Sequence, residues 1–506
     1  MKNIYKLFQP KFFLVFLITF ALSCTNGFEE LNTPPTSSTK IDAGILLAKV
    51  QRDGNFIQGG QTANCTLGSW IQYWNSSTNL PTSRYVFAHG DWSAYYGYVR
   101  NLAQIRTDLL KGQEGTPEGR TKLAIARIVE IDMWQYITDM FGDIPFSESA
   151  LGEDNLITQP KYDTQESIYK QLIQDLNAAI NNLNASDASY GAYDLYYGGN
   201  VEKWKKYANS VKLQLGMRLK YASPELAKTT VTEALSQPLI ASNSDNALIL
   251  TNTDYTSSYN PLLGQFVGGS SDLRYLAEAF VSRLVNTNDP RLTKIVAPTA
   301  NSVKAGTLEY KGKPVAQTDD QMVGIINDNY STAATTTYFN LSYNQSKPIP
   351  HYVYTYAEIC FYKAEAALDG WGGLTSDQAE GFYQEGIKAA MALKPFEITS
   401  IPQSYIDSEF SFNGLTSEQK LEKIMTQKWI LFFGRSYSAY AEWRRTGYPK
   451  LVPGPNKGST NGQIPCRVGY PSEESILNEP NYLEAVSRMS NGDSYISKVW
   501  WDKKAK

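Results

Sequence analysis

Apolar residues recur every three or four positions along much of the chain. The clearest run is Val353, Ala357, Cys360, Ala364, Ala367 and Trp371, which predicts one amphipathic helix, ended by the glycine-rich break from Gly370 to Gly373. A second helix is predicted at about 376–393, with Phe382, Ile387, Ala390 and Met391 inward and Pro395 as its stop. The two make an antiparallel helical hairpin. Similar pairs are predicted at about 92–110 with 119–140, 164–184 with 200–222, and 416–433 with 437–446. Four such hairpins predict an all-α, tetratricopeptide-like stack. No clean repeat of about 34 residues runs through the chain, and only the 350–395 pair comes close to that consensus. Over 222–350, 395–415 and 446–506, steady periodicity gives way to Ser, Thr, Asn, Gly and Tyr, which predicts long ordered loops decorating one side of the helical scaffold.

The N-terminus follows another pattern. Lys2, Lys6 and Lys11 precede or abut an apolar run from Phe12 to Phe20, which leads through small residues to Cys24. Such a segment reads as a secretory signal over 1–23, too short to span a bilayer comfortably. A cysteine at the cleavage point resembles a bacterial lipobox, with Ala21 in place of the commoner leucine and Leu22 next to it. Cys24 is therefore expected to carry the lipid, and several acyl chains together hold a protein stably where one does not. Residues 24–42, with Pro34, Pro35, Ser37, Ser38 and Thr39, read as a tether, and 43–506 as one α-helical domain. Export places Cys65, Cys360 and Cys466 in an oxidising compartment, where three thiols allow one disulfide at most. Cys360 lies mid-helix and is expected to be buried, and Cys65 with Cys466 is one pairing left open.

Composition narrows the function. A net charge of −3 with 19% charged residues gives no basic footprint for nucleic acid. Only His89 and His351 exist, which removes sites built on clustered imidazoles and leaves little for histidine acid–base chemistry. The G-x-x-x-x-G-K-[ST], G-x-S-x-G, H-E-x-x-H and C-x-x-C patterns are absent. Glu358 and Glu365 lie on one helix face, but seven residues is roughly 10 Å of helix, beyond the carboxylate spacing of either glycosidase mechanism. They are expected to be inter-helix hydrogen-bonding groups. Oxygen-rich loops around Asn243–Asp254 and Asn327–Asn329 lack an EF-hand pattern, and no metal or cofactor is expected.

Several motifs together resemble the SusD/RagB family of surface lipoproteins, in its SusD-like branch. They are Phe141-Gly142-Asp143-Ile144-Pro145-Phe146, Pro160-Lys161-Tyr162-Asp163, Trp204-Lys205-Lys206-Tyr207-Ala208-Asn209-Ser210 and Asp289-Pro290-Arg291-Leu292, followed by Tyr356-Ala357-Glu358, Gln427-Lys428-Trp429, Trp443-Arg444-Arg445-Thr446-Gly447-Tyr448-Pro449 and Tyr470-Pro471. Each is weak alone, and their order carries the resemblance. Cys466-Arg467-Val468-Gly469 departs from the arginine and apolar pair that relatives tend to show there. The resemblance implies a lipid-anchored, non-catalytic receptor on the outer membrane, facing the cell exterior. It would capture an oligosaccharide or peptide and deliver it to a SusC-like TonB-dependent transporter. A surface glycoside hydrolase, or a scaffold lipoprotein that binds only proteins, are the alternatives.

The motif residues themselves read as structural: Gly142 and Pro145 turn the chain, Asn209 and Ser210 satisfy backbone groups, and Arg444 and Arg445 pair with carboxylates between hairpins. The chain holds 10 Trp, 34 Tyr and 20 Phe, and ligand contact is expected from those in polar loops. A sugar offers a C–H face to an aromatic ring and hydroxyls to polar groups at its rim. Trp70, Tyr73, Trp74 and Arg84 have that composition, whereas Trp92, Tyr95 and Tyr96 follow at helical spacing and are expected in the core. Tyr255, Tyr259 and Asn260, and Tyr338, Phe339, Asn340, Tyr343 and Asn344, lie in irregular segments that suit a ligand or a transporter interface equally well.

Overall fold

The computed structural model describes residues 41–58, 66–75, 85, 91–151, 157–251, 275–334 and 349–505. The compact body begins at Ala43. Its longer helices are α1 (Ala43–Gln58), α2 (Trp92–Gln104), α3 (Pro117–Phe141), α4 (Gln165–Asn182), α5 (Val201–Arg218), α6 (Pro224–Leu235) and α7 (Glu278–Asn286). They continue with α8 (Tyr356–Leu368), α9 (Ala379–Met391), α10 (Ser417–Leu431), α11 (Ser436–Thr446) and α12 (Glu479–Ser487). Among the described residues, six short strands form three antiparallel pairs: β1 (Trp74–Asn75) with β5 (Tyr275–Leu276), β2 (Ile144–Pro145) with β3 (Tyr162–Asp163), and β4 (Ala247–Thr251) with β6 (Ile349–Tyr354). The helix-rich, tetratricopeptide-like architecture is the one expected.

Local chemistry explains the main elements. The Thr116 side chain accepts from the Gly119 amide, Pro117 occupies the first turn with Glu118, and Gly142 ends α3 at φ 88°. From Ala124 to Phe141 almost every side chain of α3 is buried, because α2 packs on one side and α4 on the other. In α8, Thr355 and Glu358 form a capping box. Small residues then let α9 approach, and a Cβ on Gly386 would stand 2.7 Å from the Phe361 ring. The four hairpins predicted from periodicity are present, and Cys360 is buried mid-helix.

Two stretches differ from expectation. The region expected to be loop after 222 contains α6, packed along α5, as well as β4 and α7. Val353, assigned from its spacing to the start of a helix, belongs to β6, whose partner β4 is about a hundred residues away. Shorter helices, including α12, also occupy the two later stretches read as loops.

A buried ionic network joins the hairpins. Arg445 donates to Glu365 through Nη1 at 2.8 Å and Nη2 at 2.7 Å, and also to Glu442 at 2.7 Å. Glu442 accepts from Lys428 at 2.8 Å and pairs with Arg218 at 3.1 Å. Arg218 reaches Asp139 at 3.4 Å, and that carboxylate accepts from Tyr169, Tyr437 and Trp501. These groups lie on α3, α4, α5, α8, α10 and α11 and in the C-terminal segment, so one polar network fixes the register of the stack. Arg444 stacks on Tyr440 and Trp501 and donates to the backbone carbonyls of Asp139 and Cys466, where a carboxylate partner had been expected. At the departure from the family pattern, Arg467 donates to the Phe141 carbonyl at the C-terminal end of α3.

Candidate functional site

Trp70, Tyr73 and Trp74, expected to face a ligand, are each 0% exposed. A short helix (Gly68–Trp70) and a turn with Gln72 at φ 60° lead into β1. A Cβ on Gly68 would fall 2.4 Å from the Trp74 ring, so glycine is what permits this packing. Tyr73 stacks on Trp429 at 5.3 Å and 24°, and meets Phe280 and Phe433 edge-on. Its hydroxyl donates to the Trp429 carbonyl, and the Trp429 indole donates to the Ile71 carbonyl at 3.0 Å. Trp74 lies 4.6 Å from Phe433, and Trp70 packs on Tyr440 and Tyr495. The rings fasten β1 to α7, α10 and α11 and have no open face for a sugar, which corrects the expectation for these three residues. Trp92 and Tyr95 are buried and Tyr96 packs against the same core, as expected.

Arg84, Tyr259, Asn260, Tyr338 and Tyr343 lie outside the described residues, as do Tyr255, Phe339, Asn340, Asn344, Cys24 and Cys65. The described chain does show where the segments bearing the loop residues begin and end. Asn75 pairs with Tyr275 in β1–β5, Tyr275 bridges to Thr332, and Thr251 pairs with Ile349 at the end of β4–β6. Sheet pairing thus joins the described residues beside these segments in two groups, Asn75 with Tyr275 and Thr332, and Thr251 with Ile349, although the members of each are far apart in sequence.

Around these stems, Asn75 donates to the Pro314 carbonyl, and the Lys313 ammonium lies 5.1 Å from the centre of the Tyr275 ring and donates to Asn327 Oδ1 at 2.9 Å. Burial pulls the Lys313 ammonium down to about 8. Lys311 lies near the Tyr330 ring, and both Tyr275 and Tyr330 are half-buried. Tyr85, next to Arg84, is buried, accepting from the Gly454 amide through its hydroxyl and from Ser459 through its carbonyl. The sequence reading did not select Tyr275 or Tyr330, yet each sits in a polar stretch by the criterion that selected Tyr259 and Tyr338.

The glutamates considered for hydrolysis are occupied. Glu358 pairs with Arg435 at 2.6 Å and accepts from Thr355, while Glu365 holds Arg445. Burial pushes the Glu365 carboxyl up, but Arg445 and Lys220 more than offset that and hold it at about 2. It stays ionised at neutral pH and has no proton to give a leaving group. Among the described residues, no group of His, Cys, Asp and Glu has the arrangement of a metal site, and no helix is long and apolar enough to cross a membrane.

Comparison with known proteins places this geometry in a family. Residues 35–471 match the family model for SusD-like proteins, described as starch-binding and associating with the outer membrane. A comparison with curated proteins gives no match. Among solved structures, the chain is similar to a chitin-binding protein at 29% identity and a TM-score of 0.75, covering 91% of this chain and 100% of that one. It is similar to a SusD homologue from Bacteroides uniformis at 26% identity and TM-score 0.73, with 91% and 99% covered. A chitin-binding SusD homologue from Flavobacterium johnsoniae aligns at 25% identity and TM-score 0.73, with 91% and 98% covered. The chain belongs to the SusD-like family.

Proposed function

We propose that this chain is a non-catalytic glycan-capturing lipoprotein, anchored through Cys24 on the exterior face of the outer membrane. It passes its ligand to a SusC-like TonB-dependent transporter. The observation that carries the reading is likeness over nine-tenths of the chain to proteins named as chitin-binding. A chitin-type oligosaccharide is accordingly the first ligand to test, ahead of starch-type glucans and peptides. The ligand contacts are assigned to the segments that start from the Asn75, Tyr275, Thr251 and Ile349 stems, with Arg84, Tyr259, Asn260, Tyr338 and Tyr343 as the contact residues. Ion pairing of Glu358 with Arg435 and of Glu365 with Arg445 gives both carboxylates a structural role, which supports capture without chemistry. Binding is reversible, since a receptor that hands its ligand on needs only modest affinity.

Depletion of the mature chain from solution by insoluble chitin, with starch granules and cellulose in parallel, tests the reading. One polysaccharide should deplete the protein, and Tyr259→Ala with Tyr338→Ala should reduce depletion at least fivefold while the melting temperature holds. Equal retention of wild type and variant would remove those two residues from the site. Binding to none of the three, with capture by a purified transporter partner, would favour the scaffold alternative.

A further inference from the structure

A depression of about 350 Å3 lies between α3, α4 and the turn that follows β2, and shares no residue with the loop stems. Phe146, Ala150 and Leu151 form its apolar wall, backed by Trp134, whose ring meets Phe146 edge-on at 4.9 Å and 78°. The opposite wall is polar and held rigid. Glu130, 3% exposed at its side chain, pairs with Arg127 at 2.6 Å and accepts from Arg106 at 3.2 Å and from the Trp134 indole at 3.3 Å. Arg127 continues to Asp175, which also accepts from Gln171 at 3.0 Å. Asp163 accepts from the Ser147 amide at 2.7 Å and its hydroxyl at 3.0 Å. Ala150, in the lining, holds a left-handed backbone at φ 55°, a conformation that costs an alanine about 1 kcal/mol or more.

The charge arrangement selects the ligand. Each carboxylate on the polar wall already has a donor from the protein, so a cationic ligand would have to break those pairs, while the excess of Glu130, Asp163 and Asp175 over Arg106 and Arg127 disfavours an anion. An uncharged polyhydroxylated ring needs only the Ser149 hydroxyl, the Gln171 amide oxygen and the outward N–H groups of Arg106, while its C–H face lies on Phe146 and Leu151. The volume is at the lower end of the roughly 300–1,000 Å3 of small-ligand sites, which suits one or two sugar rings. A second depression, of about 460 Å3, beside Arg283, Asp407 and Lys423 has no aromatic ring in its lining and offers no such face.

We propose that the α3–α4 depression is a second saccharide site, taking one or two pyranose rings of the glycan whose main contacts are assigned to the loop residues above. It rests on the glycan-binding reading above and extends it to two-point capture, in which a second weak contact raises the effective concentration at the first. Ligand-observed saturation-transfer NMR on the mature chain, with N,N′-diacetylchitobiose and maltose as probes, tests it. The Tyr259→Ala, Tyr338→Ala variant should retain a residual signal, which Ser149→Trp in the same background removes by filling the cavity. Gln171→Leu, a change of one polar group on an exposed part of α4, should weaken that residual component by about threefold to tenfold, the loss of one hydrogen bond. Complete loss in the loop variant alone overturns the second site and leaves the main reading standing, as does a residual signal indifferent to both Ser149→Trp and Gln171→Leu. Absence of signal in every protein with both probes overturns the two together.

Discussion

Replacing Trp74 by alanine separates a structural ring from a sugar platform. The whole indole is buried between Phe433 and the Gly68 turn. A tryptophan buries about 150–250 Å2, which at about 25 cal/mol per Å2 corresponds to roughly 4–6 kcal/mol, and measured Trp→Ala losses run at about 3–5 kcal/mol. Unfolding entropy of about 2.1 cal/mol/K per residue gives a body of this length about 1 kcal/mol/K, so Trp74→Ala should lower the melting temperature by about 3–5 °C. Calorimetric melting gives that shift, and glycan titration well below the transition gives the affinity of the folded variant. The account expects the stability loss with less than about threefold change in affinity. An unchanged melting temperature with more than a tenfold loss of affinity would refute it, because the ring would then have to face the ligand.

The same packing predicts that Gly68→Ala costs about 1–3 kcal/mol in chemical denaturation, since its Cβ would enter the Trp74 ring space and come within 2.8 Å of Ser436 Oγ; a neutral change would mean that the turn relaxes freely. Glu365, held at about 2 against 4.5 when free, contributes about 3 kcal/mol that is present above pH 4.5 and lost as pH falls toward 2. Glu365→Gln should therefore be destabilised at pH 7 and show a flatter acid limb than wild type, and parallel limbs would contradict this. Burial, together with Arg435, pulls His351 down to about 3 against 6.5, so its imidazole stays neutral in the fold. The unfolded chain takes up that proton first, and stability should fall by about 2 kcal/mol between pH 6.5 and pH 5; an imidazolium signal from the folded protein at pH 5 would refute the assignment.

Periodicity made the helical hairpins legible because their buried stripes are continuous: α8 carries Ala357, Cys360, Ala364 and Ala367 on one face. The seven-residue spacing of Glu358 and Glu365 likewise disfavours a hydrolytic pair, in keeping with the ion pairs each makes with Arg435 and Arg445. Less was legible where partners are distant. α6 is a short helix rich in threonine, with only Ala227, Thr230, Val231 and Ala234 buried, and its pattern is faint without α5 beside it. β6 gains strand character from hydrogen bonds to β4, which no local window contains. The misplacement of Trp70, Tyr73 and Trp74 has the same origin. Ser69, Gln72 and Asn75 made the stretch look wet, but the rings that cover it, Phe280, Trp429 and Phe433, come from α7 and the α10–α11 hairpin.

Capture without chemistry is tested most directly by calorimetric titration of the mature chain with soluble chitin-type and starch-type oligosaccharides, followed by mass analysis of the recovered ligand. The account predicts saturable heat with at least one oligosaccharide, at modest affinity, and recovery of that ligand at its original length. Shortened products, or no binding across both series, would contradict it.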